Sequence, residues 1–85
     1  MVKYVVYAGD IKARDGQIHW LSASRVAQLY RAPYDQCYFM DGRRQNYGKQ
    51  RLAQHYLQHG AIILRPRMDG NYNLDNRIKE AGSRE

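Results

Sequence analysis

Residues 22–40 read SASRVAQLYRAPYDQCYFM, and the state of the last five decides the fold. The first ten, SASRVAQLYR, carry the marks of an amphipathic helix. Ser22 is a suitable N-cap, because its hydroxyl accepts one of the amide protons that a first helical turn leaves unpaired. At 100° per residue Ala23, Val26, Leu29 and Tyr30 share a face, while Ser24, Arg25, Gln28 and Arg31 point away. Pro33 then stops the helix, since proline disfavours helical backbone in the residue before it. Two readings compete for residues 36–40. Gln36 to Met40 is a short apolar run bounded by Pro33 and Asp41-Gly42, which suits a strand. Residues 22–40 also follow a helix-turn-helix register loosely, with Ala27 at the small position and Cys37 and Met40 facing inward. Arg31 stands where that turn usually wants glycine, and Cys-Tyr-Phe-Met suits a strand better than a recognition helix. A strand is therefore the expectation, with a helix-turn-helix DNA-binding regulator as the alternative.

Toward the N-terminus, Val2 to Ala8 (VKYVVYA) is β-branched and aromatic with apolar residues on both faces, the pattern of a strand covered on both sides. Gly9 to Gly16 reads as a polar connection ending in the turn signal Asp15-Gly16, and Gln17 to Leu21 alternates with Ile18 and Trp20 on one face. These two strands are expected to pair as an antiparallel hairpin with a long loop. Toward the C-terminus, Tyr47 to His59 reads as a second helix capped by Gly60. Leu52, Ala53, Tyr56 and Leu57 form its apolar stripe, and Gln50, Arg51, Gln54, His55 and Gln58 its solvent face. Ala61 to Arg65 is the fourth strand, which Pro66 ends or places at an edge. The order β-β-α-β-α-β predicts an α/β domain, or α+β, built as one four-stranded mixed sheet with two helices, parallel pairs and right-handed crossovers. One domain over residues 1–72 accommodates it, and 73–85 reads as a polar, mobile tail.

The charge is unevenly placed. Gly42 to Met68 holds Arg43, Arg44, Lys49, Arg51, Arg65 and Arg67 with no Asp or Glu, which accounts for the entire net charge of +6. The cations fall on a loop, a helix start and a strand end. If the third and fourth strands are parallel they end on the same side, and the cations converge on the edge where α/β folds commonly bind ligands. Such a cluster holds phosphates or an acidic protein surface by guanidinium contacts. Tyr47 and Tyr72 are interleaved with these cations, as base stacking needs. The plainer alternative is a dispersed, solvated set of charges that serves solubility, with each tyrosine packed on its own element.

Other chemistry is harder to support. Cys37 is the single cysteine, so neither an intrachain disulfide nor a cysteine-based zinc site can form, and a reducing cytoplasmic setting fits. No apolar run approaches the length of a signal peptide core or a membrane span. His55 and His59 have the i, i+4 spacing of paired metal ligands, but Tyr56 stands where the metalloprotease pattern has Glu, and nothing places His19 or Cys37 as a third ligand. Two surface histidines are the simpler reading, and neither metal nor cofactor is expected. There is no GxSxG, P-loop or dinucleotide turn. Asp41 and Asp69 lie beside arginines as general acid or base candidates for a small nucleotide hydrolase, although aspartate at such turns ordinarily serves local backbone bonding.

His19-Trp20-Leu21-Ser22-Ala23, Val26-Ala27-Gln28-Leu29-Tyr30, Cys37 and Arg65-Pro66-Arg67-Met68-Asp69-Gly70-Asn71-Tyr72 together resemble a group of short proteins encoded by tailed bacteriophages and prophages. The resemblance spans most of Tyr4 to Tyr72 and supplies no catalytic residues. It implies a class of work inside a host cell: inhibiting a host or defence protein, sequestering a nucleotide signal, or regulating transcription. Asp41-Gly42-Arg43-Arg44-Gln45 departs from that group, where an acidic Arg-Pro stretch is expected, so the basic loop belongs to this chain. The sequence thus predicts a non-enzymatic binding protein whose partner is an anion, either nucleic acid or nucleotide or an acidic protein surface. A free strand edge would also favour a homodimer.

Overall fold

The computed structural model describes residues 1–41 and 47–68. It is a small compact arrangement of mixed helices and strands, in the order β1 (Tyr4–Tyr7), β2 (Gly9–Lys12), β3 (Ile18–Leu21), α1 (Ala23–Leu29), a 3-10 turn (Tyr34–Gln36), β4 (Cys37–Met40), α2 (Tyr47–Gln58) and β5 (Ile62–Leu64). The expected tail at 73–85 lies outside the described residues.

Residues 37–40 are a strand, so the helix-turn-helix register over 22–40 is not formed. The strands nevertheless do not make the single four-stranded sheet expected. A three-stranded parallel sheet runs in the order β4-β1-β5, and a separate two-stranded antiparallel sheet pairs β2 with β3. The reason lies in β1. Parallel partners occupy both of its edges, with Tyr4 opposite Cys37 on one side and Ile62 on the other, so no edge remains for β3. Instead β3 pairs with Gly9–Lys12, inside the stretch expected to be a polar connection. That ribbon closes through Ala13 to Gln17, where the Ala13 amide donates to the Gln17 carbonyl at 2.8 Å.

Alternation along β1 sends Val5 and Val6, both fully buried, to opposite faces. Val6 packs with Ala23, Val26, Ala27 and Tyr30 of the α1 region and with Leu64. Val5 packs with Met40, Ala61 and Ala53 of α2. The chain therefore crosses from β1 to β4 over one face and returns past β1 to β5 over the other. Reversing both direction and face preserves the hand of the crossover, as the right-handed rule for parallel strands demands.

Local signals set the helices. The Ser22 hydroxyl accepts from the Arg25 amide at 3.3 Å, as an N-cap should. Arg31 adopts φ +58 after α1, and Gly60 adopts φ +94 after α2. Both helices close with the same pair of bonds. Ala32 donates to Ala27 and Arg31 to Gln28, while Ala61 donates to Tyr56 and Gly60 to Leu57. This is the Schellman arrangement, built once on glycine and once on arginine. The apolar stripe expected on α2 holds for Ala53, Tyr56 and Leu57, but Leu52 is 47% exposed. α2 packs over β4 and β1, and Leu52 falls outside that contact.

Candidate functional site

Because β4, β1 and β5 are all parallel, Asp41, Ala8 and Arg65 emerge on one edge of the sheet. The third and fourth sequence-predicted strands run parallel, the condition on which convergence of the cations depends, but β1 lies between them and they are not neighbours. α2 begins at Tyr47, after the chain has left this same edge, and runs back toward the other, where Ala61 leads into β5. Its first turn is fixed over the sheet by the Tyr38 hydroxyl, which donates to the Lys49 carbonyl at 3.3 Å. Burial, with Tyr56 nearby, pushes the Tyr38 hydroxyl pKa above its ordinary value, so the donor keeps its proton at neutral pH.

Arg65 is the best-placed cation. One step past the register Val6–Leu64, it lies beside Tyr7, and its guanidinium carbon sits 4.1 Å from the centre of the Tyr7 ring. That is cation-π geometry, which holds a long side chain while leaving its N–H groups available. Among the described residues, Arg65 and Arg51 form no ion pair. The Arg65 carbonyl is anchored separately: it accepts from the Tyr30 hydroxyl across the opposite face of the sheet. Pro66 closes against Gly9, where an added β-carbon would lie 3.2 Å from the proline Cγ, so a side chain there would push the ring back by a few tenths of an ångström.

Of the residues expected to form the basic edge, Tyr47, Lys49 and Arg51 are exposed on α2, Arg65 is exposed after β5, and Arg67 is half-buried two residues further on. Arg43, Arg44 and Tyr72 lie outside the described residues. The opening turn of α2 carries no acidic residue. Cations near a helix N-terminus add to the positive charge that the macrodipole already places there. Asp41 is half-buried at the same edge. Sequence reading missed Tyr7, whose role depends on the β1–β5 register; only its place at the end of a strand, two residues before a glycine, hinted at it.

The remaining candidates fall elsewhere. His55 and His59 stack with ring centres 4.3 Å apart, and His59 Nδ1 lies 2.8 Å from the His55 carbonyl. They line a cleft of about 500 Å³ with Met1, Val2, Asp35 and Tyr56. Those residues precede β1 and β4 or end α2, so the cleft is at the opposite edge from Arg65. His19 pairs with Asp15 at 3.5 Å on the β2–β3 ribbon. The Cys37 thiol donates to the Pro33 carbonyl at 3.1 Å, and burial, with Asp35 adding to it, raises its pKa, which disfavours a thiolate nucleophile. Among the described residues no group of three or more His, Cys, Asp or Glu is arranged to hold a metal ion, and no helix is long and apolar enough to cross a membrane.

Comparison of the chain with protein-family models, with curated proteins and with solved structures finds no match.

Proposed function

We propose that this chain is a small non-enzymatic binding protein, of the phage-encoded kind its sequence resembles, that engages a phosphate-bearing ligand at the edge where its three parallel strands end. The observation that carries this reading is Arg65. Its guanidinium is seated on Tyr7 at the carboxyl ends of the strands, with no acidic partner among the described residues. A guanidinium fixed by one face and free at its edge is suited to the bidentate geometry of a phosphate. Lys49 and Arg51 add charge from the adjoining helix. The edge is also the place where parallel α/β sheets present ligands, since crossovers diverge there.

The test is fluorescence anisotropy with labelled oligonucleotides and with nucleoside mono- and triphosphates. Binding should fall tenfold or more between about 50 and 200 mM salt for a polyanion. Arg65→Ala should weaken it about tenfold, a typical loss for one charge-assisted contact. Salt-independent binding, or affinity unchanged in both Arg65→Ala and Arg51→Ala, would reject the reading and turn attention to an acidic protein surface.

A further inference from the structure

The exposed part of α2 narrows the phosphate ligand to one class. Tyr47 is its first residue and 72% exposed. Arg51 follows four residues later, also exposed. On a helix that spacing makes ring and guanidinium neighbours on one face, with β-carbons about 5–6 Å apart. Arg65 on Tyr7 repeats the combination across two strands, a cation against an aromatic ring at 4.1 Å. Here the outer face of the guanidinium remains toward solvent, because Arg65 is exposed.

We infer that the basic edge takes single-stranded nucleic acid, with one base stacked on Tyr47, its phosphate held by Arg51, and the next contact made at the Tyr7–Arg65 stack. Charge complementarity supplies the attraction, since residues 42–68 contain cations and no carboxylate. The rings supply the choice of class. In a duplex both faces of each base are already stacked, so an exposed tyrosine beside a cation gains nothing from it, whereas an unpaired base offers a free face. A mononucleotide would satisfy only one of the two aromatic-cation pairs. The inference rests on the phosphate-binding reading above, and the experiment separates the two.

Labelled oligo(dT) of twelve nucleotides and the corresponding duplex are titrated by anisotropy at low salt against the full chain, Tyr47→Ala, Tyr47→Phe and Arg65→Ala. The single strand should bind at least tenfold more tightly than the duplex. Tyr47→Ala should weaken single-strand binding about five- to hundredfold, the span for one stacking ring, and leave duplex binding unchanged. Tyr47→Phe should retain it, because the ring rather than the hydroxyl stacks. Equal single-strand and duplex affinities, or no effect of Tyr47→Ala while Arg65→Ala and salt still weaken binding, would overturn this inference and leave the phosphate reading standing. No binding of either oligonucleotide would overturn the inference, and failure of the nucleotides as well would overturn both.

Discussion

Val5 and Val6 are neighbours on β1 and both fully buried, yet the surfaces they close are unlike. On the Val6 side, α1 presents Ala23, Val26 and Ala27, followed by Tyr30 and Ala32, and no residue of this group is more than 6% exposed. The small side chains let the helix approach closely and enclose the Tyr30 ring, with Tyr4, Leu21, Phe39 and Ile62 partly covered around this set. On the Val5 side α2 contributes Ala53 to the buried set, and Tyr7, Tyr38, Tyr56 and Leu57 are only partly covered. Tyr38 and Tyr56 meet with ring centres 5.3 Å apart. Lys49, Arg51 and Arg65 all belong to this second side. The Val6 face has the larger fully buried set; the Val5 face has a smaller one rimmed by three partly covered tyrosines, and the candidate site lies along that rim.

Removing one ring from each face tests the contrast most directly. Tyr30→Ala should cost about 3–5 kcal/mol, as truncation of an enclosed aromatic ring does. That is a large fraction of the stability of a domain this size, at roughly 0.05–0.15 kcal/mol per residue. Tyr30→Phe should cost about 1–3 kcal/mol, since the Arg65 carbonyl loses the hydroxyl it accepts from. Tyr56→Ala, from a partly exposed position, should cost about 1–2 kcal/mol. Urea unfolding followed by far-ultraviolet circular dichroism ranks the variants. Equal losses for Tyr30→Ala and Tyr56→Ala would show the two faces to be energetically alike.

Much of this division was legible in the sequence, and the illegible parts share a cause. Ser22 as N-cap, Gly60 as the glycine closing α2, and the strand at 37–40 are local features, written in residues within a turn of one another. Strand pairing is not local. VKYVVYA declared itself buried on both faces, but nothing in it said that parallel neighbours would take both edges and exclude β3. Gly9-Asp10-Ile11-Lys12 has a single large apolar side chain, too little for the alternation that identifies a strand, and it becomes one through its pairing with β3. Leu52 was misplaced for a similar reason. A helical stripe gives the apolar face, while its usable width is set by what lies beneath, here chiefly β4 and β1 among the described residues. The cation positions were readable, but the seat of Arg65 on Tyr7 depended on a register that the sequence does not state.

The helix ends sharpen the contrast at smaller energies. Gly60 and Arg31 occupy equivalent left-handed positions, at φ +94 and +58. A β-carbon there costs about 1–2 kcal/mol. Gly60→Ala should therefore destabilise by about that amount, although its surroundings leave open space for the methyl group. Arg31→Gly should do the reverse and raise stability by about 0.5–1 kcal/mol, part of the relieved strain being offset by the greater freedom of glycine in the unfolded chain. Paired urea midpoints check both signs. A destabilised Arg31→Gly would mean that the arginine side chain contributes more than its backbone conformation costs.

The smallest effect belongs to the exposed turn of the β2–β3 ribbon, which touches the Val6 face through Leu21 at its other end and serves as a control. Asp15 accepts from the Gln17 amide at 2.8 Å, and that bond lowers its carboxyl pKa below the ordinary value; desolvation opposes it, and the His19 interaction adds a smaller lowering. A carboxyl whose folded pKa is depressed favours the fold in its charged form. Its contribution is fully present above the unfolded carboxylate range, near pH 4, and is lost as pH falls through the lowered folded value. Asp15→Ala should therefore lower the urea midpoint slightly at pH 7, with the gap to the natural chain closing as pH falls through the lowered folded value. Asp15→Asn retains an acceptor for the Gln17 amide and should fall between them. Because Asp15 lies in the turn, at the far end of the ribbon from the Gly9–Leu21 pair that meets Pro66 and the Val6 face, oligonucleotide affinity should be the same in all three chains. A midpoint gap that does not narrow at all as pH is taken down from about 4 into strong acid would show that the Asp15 bond acts through shape rather than charge, and an affinity change would place the turn at the binding edge.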